Sequence, residues 1–271
     1  MTRRSPLILL FFVAVWVAES PPAMADTLRI GGTGGAIGLM TRMAKPFVER
    51  SGTMLEVVPS LGSGGGIRAA AEGAIDVAVA GRTLTDAEKA QGLTEAAVLR
   101  TPFVFATSST GPTAMTAHEI VRVYADPVAT WPDGTRIKVI LRPKAEDDNT
   151  VMTSHFPGIA DALAAARARR ELPVATTDLD NAALAEGLEG SFIGATYTQM
   201  VTERRDLRLV AIDGTAPALD ALENGRYRDD KVLRIVVRSP MTAPVQAFLN
   251  FLHSDAGIRT LRDGGCIPGG E

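Results

Sequence analysis

Ser63 stands in a cluster of glycines, in the string Leu61-Gly62-Ser63-Gly64-Gly65-Gly66. A lone hydroxyl among unobstructed backbone amides is the donor set that suits a small anion. A glycine inside a helix or strand costs about 0.5–1 kcal/mol relative to alanine, so this run reads as a turn that opens a helix. Such a helix N-terminus presents unpaired N–H groups to whatever sits in front of it. A second element of the same design lies upstream. Leu28-Arg29-Ile30 leads into Thr33-Gly34-Gly35-Ala36-Ile37-Gly38 and then a helical pattern. Two glycine-rich strand-to-helix turns so close in the chain point to a shared anion site.

Other chemistry is poorly supplied. The residue two before Ser63 is Leu61 rather than glycine, so the nucleophile elbow of a hydrolase is not formed. The upstream turn partly matches a dinucleotide-binding glycine pattern, but its further glycine position is taken by Met40. His118, His155 and His253 lie far apart without metal-ligand spacing. Cys266 is the only cysteine, which rules out an internal disulfide and reads as a small packed residue. No enzyme activity, cofactor or metal is expected.

The elements that would position these groups alternate between strand and helix patterns, which gives an α/β class. Residues 40–50 read as a helix and 54–58 as the next strand. The Ser63 turn is followed by an alanine-rich helix and by Val77-Ala78-Val79-Ala80, a short buried strand. Thr85 and Thr116 each resemble helix caps with acidic residues in the following turn. Residues 98–106 are a strand and 107–112 a loosened linker. Trp131-Pro132-Asp133-Gly134 is a turn by composition. The strand at 137–141 empties into a polar loop, residues 142–150. Residues 161–170 read as a helix with a solvated charged face, and strands follow at 190–196, 207–212 and 232–237. The helix at 242–253 turns Val245, Phe248, Leu249 and Leu252 inward.

The N-terminus carries Arg3 and Arg4, an apolar run over residues 7–18, and Ala23-Met24-Ala25, the pattern of a cleaved export signal. The run is shorter than the ~20 residues of a membrane span, and Glu19, Pro21 and Pro22 end it. No cysteine follows to anchor a lipoprotein. Cleavage would leave a chain beginning at Asp26, enough for one large domain or two small ones. A formal net charge of −3 with no basic tract argues against a nucleic-acid partner.

Gly62-Ser63-Gly64-Gly65-Gly66-Ile67, followed by Asp76 and a short strand, resembles the serine-glycine segment of the periplasmic phosphate-binding proteins of ABC importers. The likeness runs along nearly the whole chain after the signal. It includes Trp131, the strand ending in Arg142, Gly225-Arg226-Tyr227, the strand at 232–237 and the segment from Ala247 to Gly257. The resemblance implies a type II periplasmic binding protein fold, two α/β lobes hinged about a tetrahedral oxyanion. It also implies a periplasmic, monomeric protein that delivers its ligand to an inner-membrane ABC permease. Carried over by position, Ser63 with Gly64 and the turn Thr33, Gly34, Gly35, Ala36 and Ile37 supply first-lobe contacts. Arg142 is the second-lobe arginine, and Asp148, Asn149 and Thr150 fall where the family has hydroxyl and glycine donors. The expected division is a signal over residues 1–25, a first lobe over 26–108 and 214–271, and a second lobe over 109–213.

Two departures bear on the ligand. The family's acid that accepts the proton of hydrogen phosphate falls on Gly81, followed by Arg82, and the second-lobe loop carries Glu146, Asp147 and Asp148. An ionised carboxylate about 4 Å from an anion costs roughly 4 kcal/mol at an effective dielectric of 20, near a thousandfold in affinity. Either Asp147 or Asp148 has taken over the acceptor role, with Arg82 as an added charge-assisted donor, or these acids face solvent. Ser63 could also be a plain helix cap, Thr33 a plain turn residue, and Arg142 a surface partner of Glu146 or Asp147. A binding module for an oxyanion sensor, or for another small anion, remains the alternative to import.

Overall fold

The computed structural model describes residues 26–59 and 61–270. The expected export signal, residues 1–25, lies outside them. Among the described residues, no helix is long and apolar enough to cross a membrane.

The chain runs β1 (Thr27–Gly32), α1 (Ile37–Ser51), β2 (Met54–Val58), α2 (Gly62–Glu72), β3 (Val77–Ala80), α3 (Asp86–Ala90) and β4 (Leu93–Thr107). It continues with β5 (Ala114–Met115), α4 (Ala117–Ala125), β6 (Lys138–Val139), α5 (Asp147–His155), α6 (Ile159–Ala168), α7 (Asp178–Gly187) and β7 (Ser191–Thr196). The last elements are α8 (Tyr197–Glu203), β8 (Arg208–Leu209), β9 (Ala211–Ile212), α9 (Leu219–Glu223), β10 (Asp230–Arg238), α10 (Ala243–Leu252), α11 (Asp255–Asp263) and β11 (Ile267–Pro268).

Strand pairing follows the order β2-β1-β3-β10-β4-β7-β6. The outer pairs β1–β2, β1–β3 and β6–β7 are parallel, whereas β10 runs antiparallel to both β3 and β4, and β4 to β7. The long strand β4 carries the sheet from one hydrophobic core to another, with β10 paired beside it. The first core joins Leu28, Phe47, Val77, Leu99, Leu233 and Phe248. The second joins Phe103, Phe105, Tyr124, Trp131, Phe156 and Phe192. Period-2 alternation puts Phe103 and Phe105 into that core, while Val104 and Ala106 face a third, smaller one. The result is a mixed α/β, two-lobed fold whose lobes share strands.

Glycines do close-approach work at the seams. On Gly66, a Cβ would lie 2.7 Å from the Gly32 Cα, so α2 packs backbone to backbone on β1. Gly34 and Gly35 face Asp178 and Thr196 of the second lobe, where a Cβ would lie 2.7 Å and 3.0 Å from their oxygens. At the chain end, Cys266 is fully buried and its thiol donates to the Arg100 carbonyl at 3.2 Å. Burial pushes that thiol up to about 12.

Three sequence expectations shift. The glycines around Ser63 are not a turn before a helix but its first turns, because α2 begins at Gly62, whose φ of 64° only glycine adopts freely. The polar loop at 142–150 is half helix, since α5 begins at Asp147. Two carboxylates at its N-terminus suit the helix dipole there. The strand at 207–212 is two short pieces, β8 and β9, on different partners, β4 and β5. The caps at Thr85 and Thr116 form as expected, each as a full capping box.

Candidate functional site

The cleft between the two cores is built from short loops at strand ends. On the first lobe, Ser63 sits in the opening turn of α2 and is nearly buried. It does not cap its helix. Its Oγ accepts from the Gly81 amide at 2.9 Å and donates to Asp147 Oδ2 across the cleft. A Cβ on Gly81 would lie 2.7 Å from that same Oδ2 and 2.8 Å from Lys231 Cε, so glycine at 81 leaves the room Asp147 occupies. Thr33 is buried, with its amide tied to the Val79 carbonyl at 2.9 Å. Gly34, Gly35 and Ala36 form a buried 3-10 turn, and Ile37 starts α1.

On the second lobe, Arg142 follows the strand at β6 and is 5% exposed. One terminal nitrogen donates to the Ala175 carbonyl at 2.8 Å. The other donates to Glu146 at 3.1 Å and lies 3.4 Å from Asp178. Asp148, 2% exposed, takes a 2.5 Å bond from Lys231 Nζ, which reaches over from β10 on the first lobe. Lys231 is itself 2% exposed. Its neighbouring carboxylates outweigh the burial penalty and raise its affinity for the proton above an ordinary lysine. Asp178 shows the opposite balance. Burial, with Asp148 nearby, lifts its carboxyl above the usual range although Lys231, Arg142 and the Gly35 amide favour the charged form.

Two atoms in this nest have no hydrogen-bond partner among the described residues, Arg142 Nε and Asp148 Oδ2. They are 4.0 Å apart, one a donor and one an acceptor. Buried polar groups are almost always paired, so a missing partner here marks a place for one. A cavity of about 180 Å3 lies alongside, bounded by Gly34 and Gly62 of the first lobe and by Arg142, Thr177 and Leu179 of the second.

The structure therefore brings together Gly34, Gly35, Ser63, Gly81, Arg142 and Asp148, while the Thr33 amide is spent on the Val79 carbonyl. It leaves others aside. Gly64 is exposed on α2, and Thr150 is exposed on α5. Asn149 is turned back into its own loop, donating to the Pro143 carbonyl at 2.7 Å and accepting from Arg167 at 2.8 Å. Arg82 is not a free donor to the cleft: its fork closes on Glu88 at 2.9 Å and 2.7 Å, and that pairing holds Glu88 down to about 2. The acids of the second lobe do not face solvent, since Asp147 and Asp148 are both buried. Lys231 and Asp178 escape a reading of the sequence. A lysine at a strand start and an aspartate in a helix's first turn are ordinary surface placements, and only the partner lobe makes them central.

A hinged cleft between two α/β lobes, lined by buried charge and backbone amides, defines a ligand-binding protein of the type II binding-protein architecture. The chain belongs to the PBP superfamily, whose domain matches residues 17–256 and whose members are binding components rather than enzymes. Among curated proteins, none matches it. Its fold is similar to that of a Clostridium perfringens protein assigned as a phosphate ABC transporter substrate-binding protein, solved with phosphate. That match has 18% identity and a TM-score of 0.75, and covers 90% of this chain and 100% of that one. A phosphate-binding protein from Stenotrophomonas maltophilia gives 13% identity and 0.66, covering 90% of each chain. The periplasmic molybdate-binding protein of Azotobacter vinelandii gives 10% identity and 0.59, covering 90% and 100%. At these identities the likeness shows the fold.

Proposed function

We propose that the chain is an exported, monomeric substrate-binding protein that captures phosphate, or a similar tetrahedral oxyanion, between its lobes and hands it to an ABC permease. The observation that carries this reading is the unpartnered pair Arg142 Nε and Asp148 Oδ2, 4.0 Å apart and buried. A hydrogen-bearing oxyanion supplies both missing partners, accepting from the guanidinium with one oxygen and donating its O–H to the carboxylate. Sulfate has no such proton to give. Asp148 is thus the acceptor, Arg142 the second-lobe cation, and Ser63 with the Gly34–Gly35 turn the first-lobe donors.

Support for phosphate comes from fold relatives named as phosphate binders and phosphate transport receptors. Export rests on the N-terminal signal pattern, and transport on what those relatives are called. The lobes divide where β4 passes between the two cores and where the chain returns from Tyr227 into β10, so closure would bend the chain near residues 100–103 and 227–231.

The test is calorimetry of protein unfolded and refolded to strip carried-over ligand, titrated with phosphate, arsenate, sulfate and molybdate. Phosphate and arsenate should bind, with sulfate at least about a hundredfold weaker, because a desolvated acceptor without its donor is costly. Arg142→Lys should lose about 30-fold or more, since an ammonium cannot reproduce the guanidinium fork. Equal affinity for sulfate and phosphate would strip Asp148 of its role as proton acceptor.

A further inference from the structure

We propose that the site admits its oxyanion as a proton-bearing single anion, and that Asp147 is the residue that imposes this choice. The inference rests on the reading of the cleft as an oxyanion site and names the charge form it takes.

Both donor sets of the first lobe are engaged by the protein's own carboxylates. The Ser63 hydroxyl donates to Asp147, and the Asp178 carboxylate lies against the Gly34–Gly35 turn. Ser63 has one proton, so it serves either Asp147 or a ligand. The cations nearest Asp147 are shared with other carboxylates. From α2 it meets the Ser63 hydroxyl, and beyond β3 it meets Arg82, whose fork is held by Glu88. Lys231 on β10 is engaged by Asp148. On its own segment stand Arg142, Glu146 and Asp148, and on α7 Asp178.

Among the buried groups, the carboxylates Asp147, Asp148 and Asp178 outnumber the cations Arg142 and Lys231. A doubly charged guest deepens that imbalance. A singly charged one adds less and brings hydrogens that can donate to the carboxylates. The unpartnered Arg142 Nε and Asp148 Oδ2 already ask one small guest for an acceptor and a donor together. A second hydrogen on the same guest would meet Asp147 and free the Ser63 hydroxyl to turn toward the ligand.

The test titrates inorganic phosphate into wild type and Asp147→Asn at about pH 5.5 and about pH 8.5, either side of the second ionisation of phosphate. Wild type should bind at least about tenfold more weakly at the higher pH. Asp147→Asn keeps the shape and removes the charge, so its affinity at the higher pH should rise by about tenfold and its pH dependence flatten. Titration in buffers of different ionisation heat should show about one proton taken up per phosphate by wild type near pH 8, and less by the variant. Melting curves without phosphate establish that the variant is folded, and Asp147→Ala serves if it is not.

A wild-type affinity unchanged between the two pH values, or a variant that binds more weakly at the higher pH, overturns the inference while leaving the oxyanion site standing. A folded wild type that binds phosphate at neither pH overturns the oxyanion reading, and this inference with it.

Discussion

Lys231 is the side chain on which most of the buried charge depends. It enters from β10, is almost wholly removed from water, and holds Asp148 at 2.5 Å. Removing one member of a buried ion pair leaves the other uncompensated, a loss of about 3–5 kcal/mol. Lys231→Met should therefore lower the melting temperature by roughly 6–20 °C for a chain of this size. Adding Asp148→Asn should recover part of the loss, and a double-mutant cycle in thermal unfolding measures the coupling. At this scale the sequence was partly legible. Ser63, Arg142 and the acids of residues 146–148 could be singled out because glycine, strand end and loop composition framed them. Lys231 and Asp178 could not, since nothing near them in the chain announces that each faces the opposite lobe. Arg82 was legible as a cation but not as one already spent, because its partner Glu88 reads from the sequence only as a first-turn residue after the Thr85 cap.

Among the elements, α5 ties the cleft to the strands that join the lobes. Its N-terminus carries Asp147 and Asp148, and at its other end His155 Nδ1 lies 3.2 Å from Asp229, next to β10. That carboxylate raises the histidine above its ordinary value against the opposing effect of burial. A group whose proton affinity is higher folded than unfolded contributes its stability below the unfolded value of about 6.5, and loses it as pH rises through the folded one. Wild type should thus be more stable than His155→Gln near pH 6, with the gap closing toward pH 9, as read from melting temperatures across that range. The element itself was hard to see in advance. Its sequence, DDNTVMTSH, has only Val151 and Met152 as apolar residues and no stripe to betray a helix. The long helices and strands with clear apolar periods were legible, as were the capping boxes at Thr85 and Thr116. The first turns of α2 were not, because glycine is a poor helix former and the close packing that requires it, Gly66 against Gly32 of β1, lies outside the local sequence.

For the whole molecule, two cores joined by antiparallel strands make each lobe's stability partly the other's. The alternation of helix and strand announced the α/β class. The exchange of strands between lobes left no composition signal, since β4 is one uninterrupted run through both cores. Tyr227 marks the passage, its hydroxyl donating to the Phe103 carbonyl at 2.7 Å.

The thiol packed beneath β11 gives this architecture a built-in clock. Shielded from solvent and held protonated well above neutrality, Cys266 offers no thiolate to an alkylating or disulfide reagent while its segment stays docked on β4. Labelling should then proceed only when the C-terminal hook detaches, and its rate reads out how often that segment leaves β4. Saturating phosphate at about a hundred times its Kd should slow that labelling by up to about a hundredfold if detachment requires the lobes to part, and leave it untouched if the hook frays alone.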